Sequence, residues 1–169
     1  EFYGFINIGL PTVVNREWTD GNVKAENFVP EKFNAEEWVT FFKNAGFKGM
    51  VLNVKHHDGF CLWPSKHNKT YSMAAVPAPN TNRDILKEVS DACRREGLEF
   101  GVYLSPWDRH QASYATPAYV DYFFAQWNEV MDNYGKICEI WLDGANGGTG
   151  WYGGANGGRG ERRRIPRDY

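Results

Sequence analysis

Asp143 closes an apolar, strand-like run from Ile137 to Leu142, and a glycine-rich stretch, Gly144 to Gly148, follows at once. A carboxylate delivered by the end of a buried strand to an open loop is placed for nucleophilic or acid–base chemistry, as at strand C-termini in α/β barrels. A tight hairpin turn at Asp143-Gly144 is the bland alternative. Against it, no second alternating strand follows, since residues 147 to 160 are rich in glycine. Lys55-His56-His57-Asp58-Gly59-Phe60 begins where another apolar run ends. Adjacent histidines on a regular strand point to opposite faces, so they make a poor metal pair unless the strand frays. With His67 they form a loose zinc option of no standard spacing. Neutral imidazoles that bind hydroxyls fit better, each ring offering one donor and one acceptor.

Arg16-Glu17-Trp18 lies in a loop after the first strand-like segment. Glu17 can accept from two hydroxyls while Trp18 covers an apolar ring face; a surface Glu beside a packing Trp is the other reading. Tyr103 ends a third apolar run, and Trp141 stands two residues before Asp143. Period-two alternation puts Trp141 and Asp143 on one face of their strand. Glu17, Asp58 and Asp108 are the other carboxylates near strand ends.

The elements that must position these groups alternate. Strands are expected at Phe5–Gly9, Gly49–Lys55, Phe100–Leu104 and Ile137–Leu142. Helices are expected from Asn34 to Ala45, from about Arg83 to Glu96, and from Pro117 to Gly135. Asn34 with Glu37 forms a capping-box pattern, and Trp38, Phe41, Phe42 and Ala45 recur at helical spacing. Val120, Phe123, Phe124, Trp127, Val130, Met131 and Tyr134 form a wide apolar stripe on the third helix. Strand–helix alternation predicts right-handed crossovers and a parallel sheet. An open doubly wound sheet and part of an eight-stranded barrel both satisfy it. No Gly-x-Gly-x-x-Gly follows the first strand, which weakens a nucleotide-binding version. Four strands cannot close a barrel that typically needs about 250 residues, so the 169 residues read as the N-terminal part of a larger catalytic domain.

Composition narrows the classes. A hydrophobic fraction of 42% and an aromatic fraction of 16% exclude a disordered chain. Most of the rings are expected in the core. The net charge of −2 gives no sign of a polyanion partner. The one basic run, Arg162-Arg163-Arg164 with Arg159 and Arg167 nearby, reads as a solvated face. Cys61, Cys93 and Cys138 show no CxxC, and the latter two are expected to be buried thiols. No run is long enough to span a membrane, and no signal peptide stands at residue 1.

Read together, Arg16-Glu17-Trp18, Lys55-His56-His57-Asp58-Gly59-Phe60 with Trp63-Pro64-Ser65, Gly101-Val102-Tyr103-Leu104-Ser105 and Trp141-Leu142-Asp143-Gly144 resemble the retaining α-L-fucosidases of glycoside hydrolase family 29. The resemblance covers nearly the whole chain. It implies a (β/α)8 barrel of which about the first four units are present, cleaving terminal α-L-fucose from glycans. It implies Asp143 as nucleophile, and Glu17, Trp18, His56, His57, Tyr103 and Trp141 as fucose-pocket residues. No cofactor and no metal are implied. The family usually carries Ile-His-x-Gly on its first strand; here Ile6-Asn7-Ile8-Gly9 puts Asn7 at the sugar-binding position. The family's acid/base generally comes from a later loop, so Glu17 is expected to bind sugar. The implied partners are a fucosylated oligosaccharide or glycoconjugate and the remainder of the barrel. Such a substrate implies a secreted or periplasmic protein, lysosomal if eukaryotic. A non-catalytic fucose- or galactose-binding protein, and a metal-dependent barrel hydrolase using His56 and His57, are the rival readings.

Overall fold

The computed structural model describes residues 2–143 and the backbone of 149–150 and 163–164. The glycine-rich stretch 144–148 and Arg159, Arg162 and Arg167 lie outside the described residues. Four parallel strands form one sheet in chain order: β1 (Tyr3–Asn7), β2 (Gly49–Lys55), β3 (Glu99–Leu104) and β4 (Glu139–Trp141). The order runs in one direction, without the reversal that makes a doubly wound sheet. Every residue of β2 is buried, as its continuous apolar run requires of a central parallel strand. A short antiparallel pair, β5 (Thr149–Gly150) with β6 (Arg163–Arg164), occurs where the glycine-rich pattern announces no strand.

The crossovers carry α1 (Leu10–Val13), α2 (Ala35–Asn44), α3 (Ile85–Glu96) and α4 (Pro117–Asn133). Asn34 caps α2 by accepting from the amides of Glu36 and Glu37, and its own amide donates to Glu37. Asp84 caps α3 through the Lys87 amide. Arg83 therefore lies before that helix, and its guanidinium ties Glu88 to the carbonyls of Pro30 and Phe33. Gly97 ends α3 in the left-handed conformation.

Several expectations shift. β1 starts at Tyr3 and ends at Asn7, because Pro11 lacks an amide proton and suits the first turn of α1. β4 is shorter than the run from Ile137 to Leu142, since only β3 pairs with it; the Cys138 amide still reaches the Phe100 carbonyl. On that edge Cys138 is half-buried, whereas Cys61 and Cys93 are buried free thiols. α2 buries Ala35 and Val39, while Phe41 stays 68% exposed and Trp38 packs edge-on against Phe33. α4 buries Tyr119, Phe123, Gln126, Trp127 and Val130, leaving Phe124 and Met131 exposed. The inclusion of Tyr119 and Gln126 has a polar cause.

That cause is Lys55. At the end of β2 the register shifts between Asn53 and Lys55, and the Lys55 ammonium is fully buried. It lies 3.3 Å from Asp108, 3.1 Å from the Tyr119 hydroxyl and 3.0 Å from the Gln126 carbonyl oxygen. The rings of Tyr119, Tyr122 and Phe123 surround it, each centroid about 5.5 Å away. Asp108 also accepts from the amides of His110 and Gln111, so one carboxylate holds both the cation and a turn. Gly59 has φ of +89°, and a Cβ there would come within 2.2 Å of Asp108 Oδ1. Glycine is required at that position twice over.

Asp58 is buried beside this pair and accepts from the Thr19 hydroxyl and the Phe60 amide. Burial raises its carboxyl to about 7, with the Asp108 charge adding to the effect. The folded state therefore holds a proton that the unfolded chain releases near pH 4, so this group's contribution to stability falls as pH rises from about 4 to 7. Asp58→Asn, which keeps an acceptor and cannot ionise, should gain on the wild type across that window. Urea unfolding at a series of pH values reads the difference, and a difference flat with pH excludes a protonated Asp58. Lys55→Met should cost about 3–5 kcal/mol by leaving Asp108 buried without its cation. An unchanged urea midpoint would refute that role.

Candidate active site

The functional groups gather where the strands end. Register places Asn7, Asn53, Tyr103 and Trp141 in one row across β1 to β4. The row lies on the face away from Leu52 and Val102, which pack into the helix-side core. Asn53 donates to the Asn7 side-chain oxygen at 3.2 Å. Phe5, one row below, packs edge-on against both Tyr103 and Trp141. Trp141 is about half exposed, and its ring stands on this face.

Asp143 follows β4 by two residues and turns toward Tyr103 and His57. The Tyr103 hydroxyl donates to its Oδ2 at 3.1 Å, and His57 Nε2 lies 3.4 Å from the same oxygen. Its side chain is 54% exposed, so a held carboxylate still meets solvent. His56 and His57 turn to the same mouth, with ring centroids 4.3 Å apart, and His56 stacks on Tyr103 at 5.8 Å. The fray that lets adjacent histidines share a side follows the register shift at the end of β2. Two buried polar atoms of this group, His56 Nδ1 and Asn53 Oδ1, have no hydrogen-bond partner among the described residues.

Electrostatics separates the roles. Burial lowers His56 to about 4, against the pull of Asp143. Burial also lowers His57 to about 3, aided by His56 and by the Arg109 guanidinium. Both rings are therefore neutral near pH 7. Burial and the neighbouring Asp143 raise the Tyr103 phenol, so it remains a donor.

Trp18 joins the rim through Arg109, whose guanidinium lies 5.2 Å from the indole and whose amide donates to the His57 carbonyl. Glu17 is exposed and makes no polar contact with the histidine–aspartate group among the described residues. His67 is exposed as well, its amide held by Ser65. Among the described residues no three His, Cys, Asp or Glu side chains gather as metal ligands do. No helix among them is long and apolar enough to cross a membrane.

Ser105, which closes one of the resembling segments without an assigned role, joins the group, as do Trp107 and Arg109, which stand in none of those segments. The Ser105 hydroxyl lies 2.7 Å from His57 Nδ1, and the Trp107 ring packs 4.7 Å from the His57 ring. The signal was present: Ser105-Pro106-Trp107-Asp108-Arg109 is another strand end loaded with polar and aromatic residues.

Comparison with known proteins places this arrangement. The family model described as alpha-L-fucosidase matches residues 14–155. The chain is 40% identical over 144 residues to alpha-L-fucosidase 1 of Arabidopsis thaliana, covering 85% of this chain and 28% of that protein. A crystal structure of a glycoside hydrolase 29 family member from an unknown rumen bacterium superposes with a TM-score of 0.87 at 47% identity. That match covers 99% of this chain and 29% of that one. A Ruminococcus gnavus GH29 fucosidase mutant, solved in complex with fucose, gives a TM-score of 0.77 at 35% identity, covering 87% and 34%. The chain thus spans little more than a quarter of the length of the first two relatives. A parallel α/β sheet with these residues at its strand ends, matched by the family model over most of its length, belongs to the alpha-L-fucosidase family, glycoside hydrolase family 29.

Proposed function

We propose that this chain supplies the first four β/α units of a (β/α)8 barrel and the nucleophile of a retaining α-L-fucosidase. The single observation that supports this most is the setting of Asp143. It follows the end of a strand, is half open to solvent, and has one oxygen held by the Tyr103 hydroxyl with His57 Nε2 3.4 Å away. With Tyr103 and His57 both on Oδ2, Oδ1 remains the oxygen to attack an anomeric carbon. In a retaining enzyme that attack forms a glycosyl-enzyme, and a second carboxyl about 5–5.5 Å away protonates the leaving oxygen and then activates water. Asp108, paired with Lys55, and Asp58, held by Thr19 and Phe60, are buried and unsuited to that part. Glu17 stands on the rim as a sugar ligand, and the acid/base comes from the remainder of the barrel.

The other groups bind the sugar. Neutral His56, half-buried at the mouth, offers its ring for hydroxyl hydrogen bonds. Asn7 takes the first-strand position, while Trp18 and Trp141 wall the pocket. The substrate class is a fucosylated oligosaccharide or glycoconjugate, which suits a secreted, periplasmic or lysosomal protein.

Replacing Asp143 by glycine in the intact protein should lower turnover of an aryl α-L-fucoside by several orders of magnitude. Azide should then restore activity and yield the β-fucosyl azide, because the anion enters the face the carboxylate has left. Unchanged turnover, or rescue giving the α-azide, overturns Asp143 as nucleophile. Binding of fucose without any turnover in the wild type would support a carbohydrate-binding protein instead. Fucose affinity should also hold steady from neutral pH down to about 5 and weaken toward pH 4, as His56 gains its proton. A loss centred near the ordinary histidine value of 6.5 would contradict a buried, neutral His56.

A further inference from the structure

The hydroxyl of Ser105 sits behind the catalytic group and has a fixed direction. Ser105 is fully buried just past β3, and its amide donates to the Lys55 carbonyl at 2.8 Å, so its backbone is anchored to β2. Its Oγ accepts the Trp107 amide proton at 3.0 Å and lies 2.7 Å from His57 Nδ1. A hydroxyl has one proton and two lone pairs. With one lone pair taken by Trp107, its proton is free to point at the ring. The other end of that ring, Nε2, faces Asp143 Oδ2 at 3.4 Å. An ionised carboxylate only accepts, so a neutral His57 meets it well only with its proton on Nε2. Nδ1 is then an acceptor and needs the Ser105 proton. The reverse tautomer would set an imidazole lone pair against a carboxylate oxygen.

Tyr103 also neighbours this hydroxyl, but it directs its own proton to Asp143. A phenol oxygen is a weaker acceptor than an imidazole nitrogen, so the Ser105 proton goes to His57. Among the described residues, His56, Asp143 and Arg109 act electrostatically on His57, and the Tyr103 ring packs edge-on beside it. Among them only Asp143 favours a cation on the ring, and it is also the group that demands a proton on Nε2.

We propose that Ser105 is a positioning residue: by donating to Nδ1 it holds His57 in the Nε2–H tautomer and aims that proton at the Asp143 carboxylate. The relay runs in one sense, from the Trp107 amide to the Ser105 hydroxyl to His57 to Asp143. Nothing is covalently transferred along it. Its effect is to keep two donors on the same Asp143 oxygen, a second-layer role of the kind that orients ligating histidines elsewhere. The inference rests on Asp143 being ionised in the resting site, as the proposed function requires.

The test reads the tautomer directly. Nitrogen-15 spectra of the histidine rings of the intact, sugar-free protein, with His57→Gln for assignment, should show His57 protonated on Nε2 from about pH 5 to 8. Ser105→Ala should lose that preference and lower kcat/KM by about 10- to 100-fold, mainly through kcat. Ser105→Thr, which keeps the hydroxyl, should restore both. A wild-type His57 protonated on Nδ1, or a Ser105→Ala protein that keeps the Nε2–H tautomer, overturns the proposal. An inactive wild type that still shows the Nε2–H tautomer and its loss in Ser105→Ala would sink the fucosidase reading and leave this one standing.

Discussion

The buried contact between Lys55 and Asp108 is the constraint from which the rest of the site follows. An ammonium with no exposure to water is tolerable only when every side of it is satisfied. One carboxylate, one hydroxyl, one amide oxygen and three ring faces do that here. The cost of that arrangement is local inflexibility. α4 must present Tyr119 and Gln126 inward, and the loop after β3 must bring Asp108 back over the end of β2.

That return positions the chemistry. Asp108 holds the amides of His110 and Gln111, which shapes the turn in which Arg109 sits. The Arg109 amide then fixes the His57 carbonyl, and its guanidinium carries the Trp18 indole. Gly21 allows the loop bearing Trp18 to come this close, since a Cβ there would lie 2.7 Å from the Arg109 backbone. The His110 ring reaches the Gly21 carbonyl at 2.8 Å and stacks on Tyr71 at 3.7 Å. Three loops from three strand ends are thereby locked together by one ion pair and two close backbone approaches. None of those groups needs to touch a substrate to decide where His57 stands.

The strands were legible in the sequence because apolar runs such as Gly49–Lys55 sit between clear stops, and the helix at Asn34 announced itself by its cap. The strand-end rule also singled out Asp143, His56, His57 and Tyr103, which the structure brings close to one another. What failed to show was any feature whose cause lies far along the chain. The apolar stripe of α4 held at Phe123, Trp127, Val130 and Tyr134 but missed Tyr119 and Gln126, which look like surface residues until Lys55, more than 60 positions away in sequence, is known to be buried against them. Asp58 and Asp108 looked like candidate acids at strand ends, and only burial distinguishes them from Asp143. Ser105 only closes a motif, and its meaning depends on a histidine in the loop after the neighbouring strand.

The charges that remain around the mouth say what kind of ligand suits it. His56 and His57 are neutral, Tyr103 is a phenol, and Asn7 and Asn53 are amides joined to each other by a hydrogen bond. Asn7 spends its oxygen on Asn53, so what it offers a ligand is its N–H2 group. A histidine in that place would offer a ring nitrogen that could also gain charge. Asparagine adds no charge to the row at any pH. The described groups next to Asp143 are thus mostly uncharged donors and acceptors, with the Arg109 guanidinium 5.2 Å from the Trp18 ring. A phosphate or carboxylate ligand would meet the repulsion of Asp143 with few cations to offset it. A neutral polyol meets no such penalty and can exchange its water hydrogen bonds for the fixed amide, imidazole and phenol groups while its ring faces lie against Trp18 and Trp141. Electrostatics and hydrogen-bond inventory therefore support the proposal of a sugar ligand.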